Sequence, residues 1–432
     1  MRSQRATRLA ALAAAVAFAA AACSSSGSSP AAAGPSSKVN LTWWHNATAD
    51  PLKSIWQNAA NAFHAANPNV TFTIDPIQNE QFTTKVPLAL QSNDPPSLYQ
   101  QWGGGQEASQ VTSGKLMDLT SLTTSWIGEL GPAAQGWQVN GKQYGVPFDL
   151  HVVGFWYNKQ AFAKAGITDT PTTLDQLNAD VTKLKAAGVA PIAIGSKDKW
   201  PDAFYWDYFA VRECSITTLK KADASLDLSD PCWTKAGDDL KTFLATNPFQ
   251  TGFLGTASQQ GAGSSAGMVA DGSAAMELQG DWDPSVMASL SSNANLNSDL
   301  GWFPFPAVPG GAGDPSVALG GGDGFSCTTG ATSACADFLK YIDSTPIQEK
   351  IAAAGGGLPA NGAASTALTD PTLKQVLQYD QKAAYVQMYF DTAFPTAAGQ
   401  ALDAAVADFF AGQGTAQSIV QSITGASSAG GN

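Results

Sequence analysis

Hydrophobic positions recur along this chain in two periods, and the switches between them mark successive strands and helices. Val39-Asn40-Leu41-Thr42-Trp43-Trp44 reads as a short strand ending in His45-Asn46. Leu52, Ile55, Trp56, Ala59, Ala60 and Phe63 then recur at helical spacing until Asn67-Pro68-Asn69 stops the helix. A strand over 70–74, a helix over 80–93 and a strand over 97–102 follow, the last running into Gly103-Gly104-Gly105. That β-α-β-α-β order predicts a parallel sheet with helices on both faces. Ligands of such sheets sit beyond the carboxyl ends of the strands, which places Trp44, His45, Asn46, Gln101 and Trp102 at a candidate site.

A strand-like stretch over 144–158 carries Pro147, Phe148, Asp149 and His151 and leads into a helix at 159–165. Thr170-Pro171-Thr172-Thr173-Leu174 is a good cap for a helix running to 187, and 191–194 reads as the next strand. Helices at 202–214 and 233–244 precede a strand at 274–279 that ends in Gly280-Asp281-Trp282-Asp283. After a Gly-rich turn come a strand near Phe325 and helices at 334–342, from 347, at 373–379 and at 397–410; a frayed tail is expected from Gly425. The second run of elements predicts a second α/β lobe. The length of 432 residues also favours two lobes, since single cores stop growing well below that size.

Composition narrows the partners. The formal charge is -12, and loss of residues 1–22 with Arg2, Arg5 and Arg8 leaves -15 and one arginine, Arg212. Neutralising phosphates takes clustered Arg and Lys, so nucleic acid and anionic membrane surfaces are excluded as expected partners and the ligand should be neutral or cationic. Three arginines, an apolar run over 9–22 too short to span a bilayer, and Ala20-Ala21-Ala22-Cys23 make 1–22 an expected export signal. The site resembles a bacterial lipobox, with Ala20 where Leu is usual, so Cys23 is the expected lipid acceptor and plain secretion the alternative. Residues 24–37, rich in Ser, Ala, Gly and Pro, suit a flexible tether. Four cysteines then remain in an oxidising compartment, and short, sequence-local closures favour Cys214 with Cys232 and Cys327 with Cys335. No C-x-x-C occurs and the three histidines are scattered at 45, 64 and 151, so neither a metal nor a cofactor is expected.

Several stretches together resemble one family: Leu41-Thr42-Trp43-Trp44, Asn67-Pro68-Asn69-Val70, Gln91-Ser92-Asn93-Asp94-Pro95-Pro96, Gly114-Lys115-Leu116-Met117-Asp118-Leu119, Tyr144-Gly145-Val146-Pro147-Phe148, Phe155-Trp156-Tyr157-Asn158-Lys159 and Asp271-Gly272-Ser273-Ala274-Ala275-Met276 with Gly280-Asp281-Trp282. In order and spacing, from Val39 to about Ala363, they resemble the extracellular solute-binding proteins of bacterial ATP-driven sugar importers, the family of maltose-binding protein. The resemblance implies a two-lobed fold with a ligand cleft between the lobes and three crossings, placed near Asp149, Pro304 and Ser344. The expected division is 38–149 and 305–344 in lobe 1, 150–304 and 345–424 in lobe 2, and a tail at 425–432. It implies a monomer that hands a sugar or small oligosaccharide to membrane permease subunits without catalysis.

A sugar presents hydroxyls around a ring with apolar C–H faces, so its site needs planar aromatics with carboxylates and amides at their edges. The resemblance makes Trp282 the first stacking candidate, adds Trp200 with Trp206 beyond it in the second lobe, and puts the Asp149 carboxylate at the cleft. Asp323 in Gly321-Gly322-Asp323-Gly324, Glu80, Asp281 and Asp283 are further acids, and His151 and His45 could donate to hydroxyls. Two rivals stand beside this reading. A secreted glycoside hydrolase needs only two suitably spaced carboxylates among 35 acids, and the same scaffold could take a non-sugar solute. Gly263-Ser264-Ser265-Ala266-Gly267 fits a nucleophile pattern, but no strand precedes it and every histidine lies before it.

Overall fold

The computed structural model describes residues 37–429; the expected export signal, Cys23 and all but the end of the tether lie outside the described residues. In the first lobe the strand Val39–His45 pairs in parallel with Val70–Pro76 and Leu98–Gln101. Gly324–Cys327 and then Gly145–Pro147 extend that sheet antiparallel. The helix Leu52–Ala66 buries Trp56, Ala59, Ala60 and Phe63, the face its periodicity predicts. Trp56 lies 5.6 Å from Trp43, which also meets Phe325 and Phe338 edge-on. Burying each such side chain contributes on the order of 1.5–3 kcal/mol.

The second lobe has its own sheet, in the order Leu300–Phe303, Gly154–Asn158, Ala274–Gln279, Ala190–Ala193. Its helix Leu174–Ala186 starts at the expected cap: Thr173 accepts from Gln176 N, and the Gln176 side chain reaches back in a capping box. Between the lobes lies a third, four-stranded sheet of Leu358–Pro359, Asp149–Val152, Ala318–Gly321 and Val386–Met388. The stretch 144–158, expected as one strand-like run, is therefore three strands in three sheets, Gly145–Pro147, Asp149–Val152 and Gly154–Asn158. Side chains set the breaks. Phe148 stacks on Phe325 at 5.0 Å in the first core, whereas Val153 and Phe155 belong to the second. Gly154 permits the turn into the second sheet, because a Cβ there would come within 2.4 Å of the Trp302 indole.

Packing moves three expected boundaries. Residues 305–317, expected with lobe 1, stay with the second core, where Phe305 and Val317 are buried. The reason is Arg212: its guanidinium donates to Phe305 O, Pro306 O and Val317 O at 2.8, 3.2 and 2.8 Å. The chain returns to lobe 1 only after Ala318–Gly321. It also remains there beyond 344, because Ile347, Ile351 and Ala360 complete the first core around Trp56. Of the tail expected to fray from Gly425, the described part ends the helix Ala416–Ala429, and 430–432 lie outside the described residues.

The helices Thr396–Phe410 and Ala416–Ala429 cover the second lobe against Trp200–Glu213 and Cys232–Leu244. Disulfides join Cys214 to Cys232 and Cys327 to Cys335, the pairings favoured from spacing. The lobes also touch backbone to backbone, since a Cβ on Gly105 would lie 2.4 Å from Ala393 O and Gly104 adopts φ +63°.

Arg212→Lys is expected to destabilise the chain by at least about 2 kcal/mol in urea unfolding, because an ammonium cannot serve three diverging carbonyls and leaves buried acceptors unpaired. A shift below about 0.5 kcal/mol would mean that the 305–317 loop is held by packing alone.

Candidate ligand-binding cleft

A cavity of about 630 Å³ opens between the lobes, within the range of small-ligand sites. Its floor is made where the chain crosses. Asp149 and His151 come from the middle sheet, and Asp323 from the turn between Ala318–Gly321 and Gly324–Cys327. His151 is the hub of a buried network. Its Nδ1 is 3.1 Å from Asp281 Oδ1, while Nε2 lies 3.2 Å from Asp149 Oδ1 and 3.6 Å from Asp323 Oδ2. Asp281 also accepts from Val152 N and Leu358 N, and Asp149 accepts from Asp323 N at 2.7 Å.

Burial alone would lower the His151 pKa, but the Asp149 and Asp281 carboxylates overcome it and raise it well above the ordinary value. The ring is thus an imidazolium at neutral pH. Burial pushes the Asp149 carboxyl up to about 7, against the pull of His151 and with help from Asp323. Asp149, His151 and Asp323 also bring three candidate ligand atoms within 4.8 Å of one another, a grouping that the scattered histidines of the sequence did not suggest. A metal ion there would displace the imidazolium proton from Nε2.

Three indoles line the walls. Trp282 stands edge-on to His151 at 4.8 Å and 6.4 Å from Trp200; Trp102, in the opposite lobe, packs on Phe82. The Trp282 ring folds back over Gly280, where a Cβ would lie 2.0 Å from Cζ3. The cavity is bordered by buried polar atoms without protein partners: Trp282 Nε1, Asp149 Oδ2, Tyr389 OH and Asp403 Oδ1. Such atoms cost about 1–3 kcal/mol each when left unpaired, so they are capacity for a ligand rather than for the fold. Gln260 Nε2 donates across the cleft to Glu80 Oε2 at 2.8 Å. Burial, and next the charge of Asp198, raise the Glu80 pKa.

Of the residues expected from sequence, Trp282, Trp102, Trp200, Asn46, Asp149, Asp323 and Glu80 line the cavity together with His151. Others stand elsewhere. Trp206 is fully buried and stacks on Trp233 in the second core. His45 is buried edge-on to Trp43, and burial, aided by Lys53, lowers its pKa to about 4. Trp44 packs in the Ile77–Phe82 cluster, because its neighbour Trp43 takes the core face of the strand. Gln101 supports the wall from behind, donating to Gln110 Oε1 and accepting from Trp102 N. Asp281 lies beneath the floor holding His151, and Asp283 is buried against Glu277, with which it shares a side-chain hydrogen bond. Tyr389, Asp391, Asp403 and Gln260 were not anticipated; the first three lie beyond the stretch that carries the resemblance.

Residues 47–349 match the family described as bacterial extracellular solute-binding protein. The chain belongs to that family. Its members work outside the cytoplasm, and no helix among the described residues is long and apolar enough to cross a membrane. An uncharacterized ABC transporter extracellular-binding protein of Pyrococcus horikoshii is 26% identical over 61% of this chain and 59% of its own length. The diacetylchitobiose binding protein of Streptomyces coelicolor is 25% identical over 64% and 63%. The chain thus spans about three fifths of the length of these curated relatives. A solved structure from work on xylan utilization by Caldanaerobius polysaccharolyticus superposes with a TM-score of 0.81 at 25% identity, over 89% of this chain and 99% of that one. The two-lobed architecture of this solute-binding protein is accordingly that of its structural neighbours.

Two outcomes follow from the geometry. Burial raises Asp149, Asp202 and Asp283 from 3.8 to about 7. Each then holds its proton more tightly folded than unfolded, so this contribution to stability is complete below about pH 4 and is lost as the pH rises through about 7. The thermal midpoint should fall between pH 5 and pH 8, with a shallower slope in Asp283→Asn; an unchanged slope would mean that Asp283 ionises freely. Separately, Gly280→Ala should displace the Trp282 ring and shift the intrinsic tryptophan emission, and an emission spectrum identical to the parent would show that the ring tolerates a Cβ beneath it.

Proposed function

We propose that this chain is the ligand-capturing lipoprotein of an ATP-driven carbohydrate importer, tethered through lipid on Cys23, acting as a monomer and delivering a sugar or small oligosaccharide to permease subunits. One observation carries the reading: a cavity between two lobes in which indoles from both sides meet buried, unpaired hydrogen-bonding atoms. Trp282, Trp200 and Trp102 offer faces to the C–H surfaces of a pyranose. Tyr389 and the carboxylates offer edges to its hydroxyls, which donate as well as accept. The relatives are consistent with this, one of them being named for binding diacetylchitobiose.

Mechanistically the lobes turn about the middle sheet. The crossings Asp149–Val152 and Ala318–Gly321 are short extended segments that absorb small changes in φ and ψ, while the cores on either side stay rigid. Binding is lobe closure, and the closed surface is what the permease reads. No bond is made or broken in the ligand.

Calorimetric titration of residues 37–432 against mono- and oligosaccharides, with each mixture assayed afterwards for cleavage, tests this. One-to-one binding of an unaltered sugar is expected. Trp282→Ala should weaken it by tenfold to a hundredfold, about 1.4–2.8 kcal/mol. Release of new reducing ends would transfer the case to a glycoside hydrolase, and binding of non-sugar solutes only would retain the fold and discard the carbohydrate.

A further inference from the structure

The second-lobe wall of the cleft gathers four carboxyls in one place. Asp391 and Asp403 line the cavity, and Asp202 and Asp207 stand directly behind them with no exposed surface. Three elements bring them together: the helix Trp200–Glu213, the short helix Phe390–Ala393 and the helix Thr396–Phe410. Gly399 fixes the last two against each other, since a Cβ there would lie 1.9 Å from Asp391 O. Asp403, four residues on, shares that helical face. Asp207 Oδ2 accepts from Phe390 N, and Asp202 Oδ1 from Ser196 Oγ.

What remains over is acceptor capacity. Asp202 Oδ2, Asp207 Oδ1 and Asp403 Oδ1 are buried and unpartnered. No counter-charge is built in. Among the described residues no lysine or arginine lines the cavity, and its basic group, His151, is already held by Asp149, Asp281 and Asp323. The exposed Lys199 acts on Asp403 more weakly than the acids around it. The cluster is too open for a single metal ion, because only Asp149, His151 and Asp323 bring three ligand atoms within 4.8 Å among the described residues. An ammonium carried on an organic ligand fits instead. It has three donors that reach separate carboxylates, and the rings of Phe204 and Tyr389 border the same part of the cavity.

We propose that Asp391 and Asp403, backed by Asp202 and Asp207, form an ammonium subsite, so that the ligand is an amino sugar, or an oligosaccharide of amino sugars, with at least one free primary amine. This rests on the carbohydrate reading above and narrows it. Binding is coupled to protons. In the ligand-free cleft burial raises all four carboxyls, Asp391 to about 6, Asp202 to about 7, and Asp207 and Asp403 well above the usual range, the last two with help from the acids beside them. An arriving ammonium favours the carboxylate forms and expels protons to solvent.

The test is calorimetric titration of residues 37–432 at pH 7 with glucosamine, galactosamine and the disaccharide of glucosamine, beside their N-acetylated and hydroxyl counterparts. Each is run in two buffers of different ionisation enthalpy. A free-amine sugar should bind at least tenfold more tightly than its acetylated and hydroxyl counterparts, with an enthalpy that depends on the buffer through proton release. Asp403→Asn and, independently, Asp391→Asn should reduce that preference to below about threefold, with far-ultraviolet circular dichroism confirming that each is folded. Equal or tighter binding of the acetylated or hydroxyl sugars, without buffer dependence, would overturn the subsite and leave the carbohydrate reading standing. Binding of a simple diamine but of no sugar, or of none of these probes, would overturn both.

Discussion

The buried imidazolium of His151 is the interaction on which the architecture turns. The lobes are joined by chain that crosses between them, and crossings of this kind would be loose were they not tied to one another. His151 ties them. Through Asp149 and Asp323 it holds two adjacent crossings, and through Asp281 it reaches the end of the central strand of the second lobe and the amide of Leu358. An unpaired charge at this depth would cost several kcal/mol, whereas this ring has acidic partners on both nitrogens, Asp281 at Nδ1 and Asp149 and Asp323 at Nε2. The same network forms the floor of the cleft, so the joint and the ligand site share residues.

That sharing bears on how binding becomes movement. Carboxylates face one another across the cleft: the charge of Asp198 helps to raise the pKa of Glu80, and a hydrogen bond from Gln260 to Glu80 spans the gap. Repulsion between acids on opposing walls favours separation when the cleft is empty. A ligand rich in donors reverses the balance by giving each carboxylate a partner that belongs to neither lobe. The ligand shifts the equilibrium only by as much as it prefers the closed arrangement, and the unpaired atoms at Trp282, Tyr389 and Asp149 are where that preference can be expressed.

The helical and strand periods made most of the fold legible. Trp56 and Phe63 revealed a core face, Thr173 a cap, and the spacing of four cysteines two local closures, because each of these is a short-range matter. The first wall of the cleft was legible for a similar reason, since strand ends in a parallel sheet are predictable places. Non-local pairing was not. Nothing in the run 144–158 shows that its three parts join three sheets, and the position of 305–317 depends on a guanidinium about a hundred residues earlier in the chain. Trp44 and Trp206 failed as site residues because tryptophan serves a core as readily as a sugar. Only the packing partner, Trp233 for Trp206, tells the two apart.

The acids missed by sequence reasoning are instructive for another reason. An aspartate in an Ala-rich helix such as Thr396–Phe410 carries no local signature, and Asp403 looks no different from its neighbour Asp408 until the fold places it beside Asp202, Asp207 and Asp391. Four carboxyls gathered against an apolar lobe work against folding, because each must be desolvated and each repels the others. Well-packed apolar side chains in the same four places would be as stable or more so. Their cost to the fold makes sense only if something outside the chain completes them, and two of the four, Asp391 and Asp403, line the cleft through which it would enter.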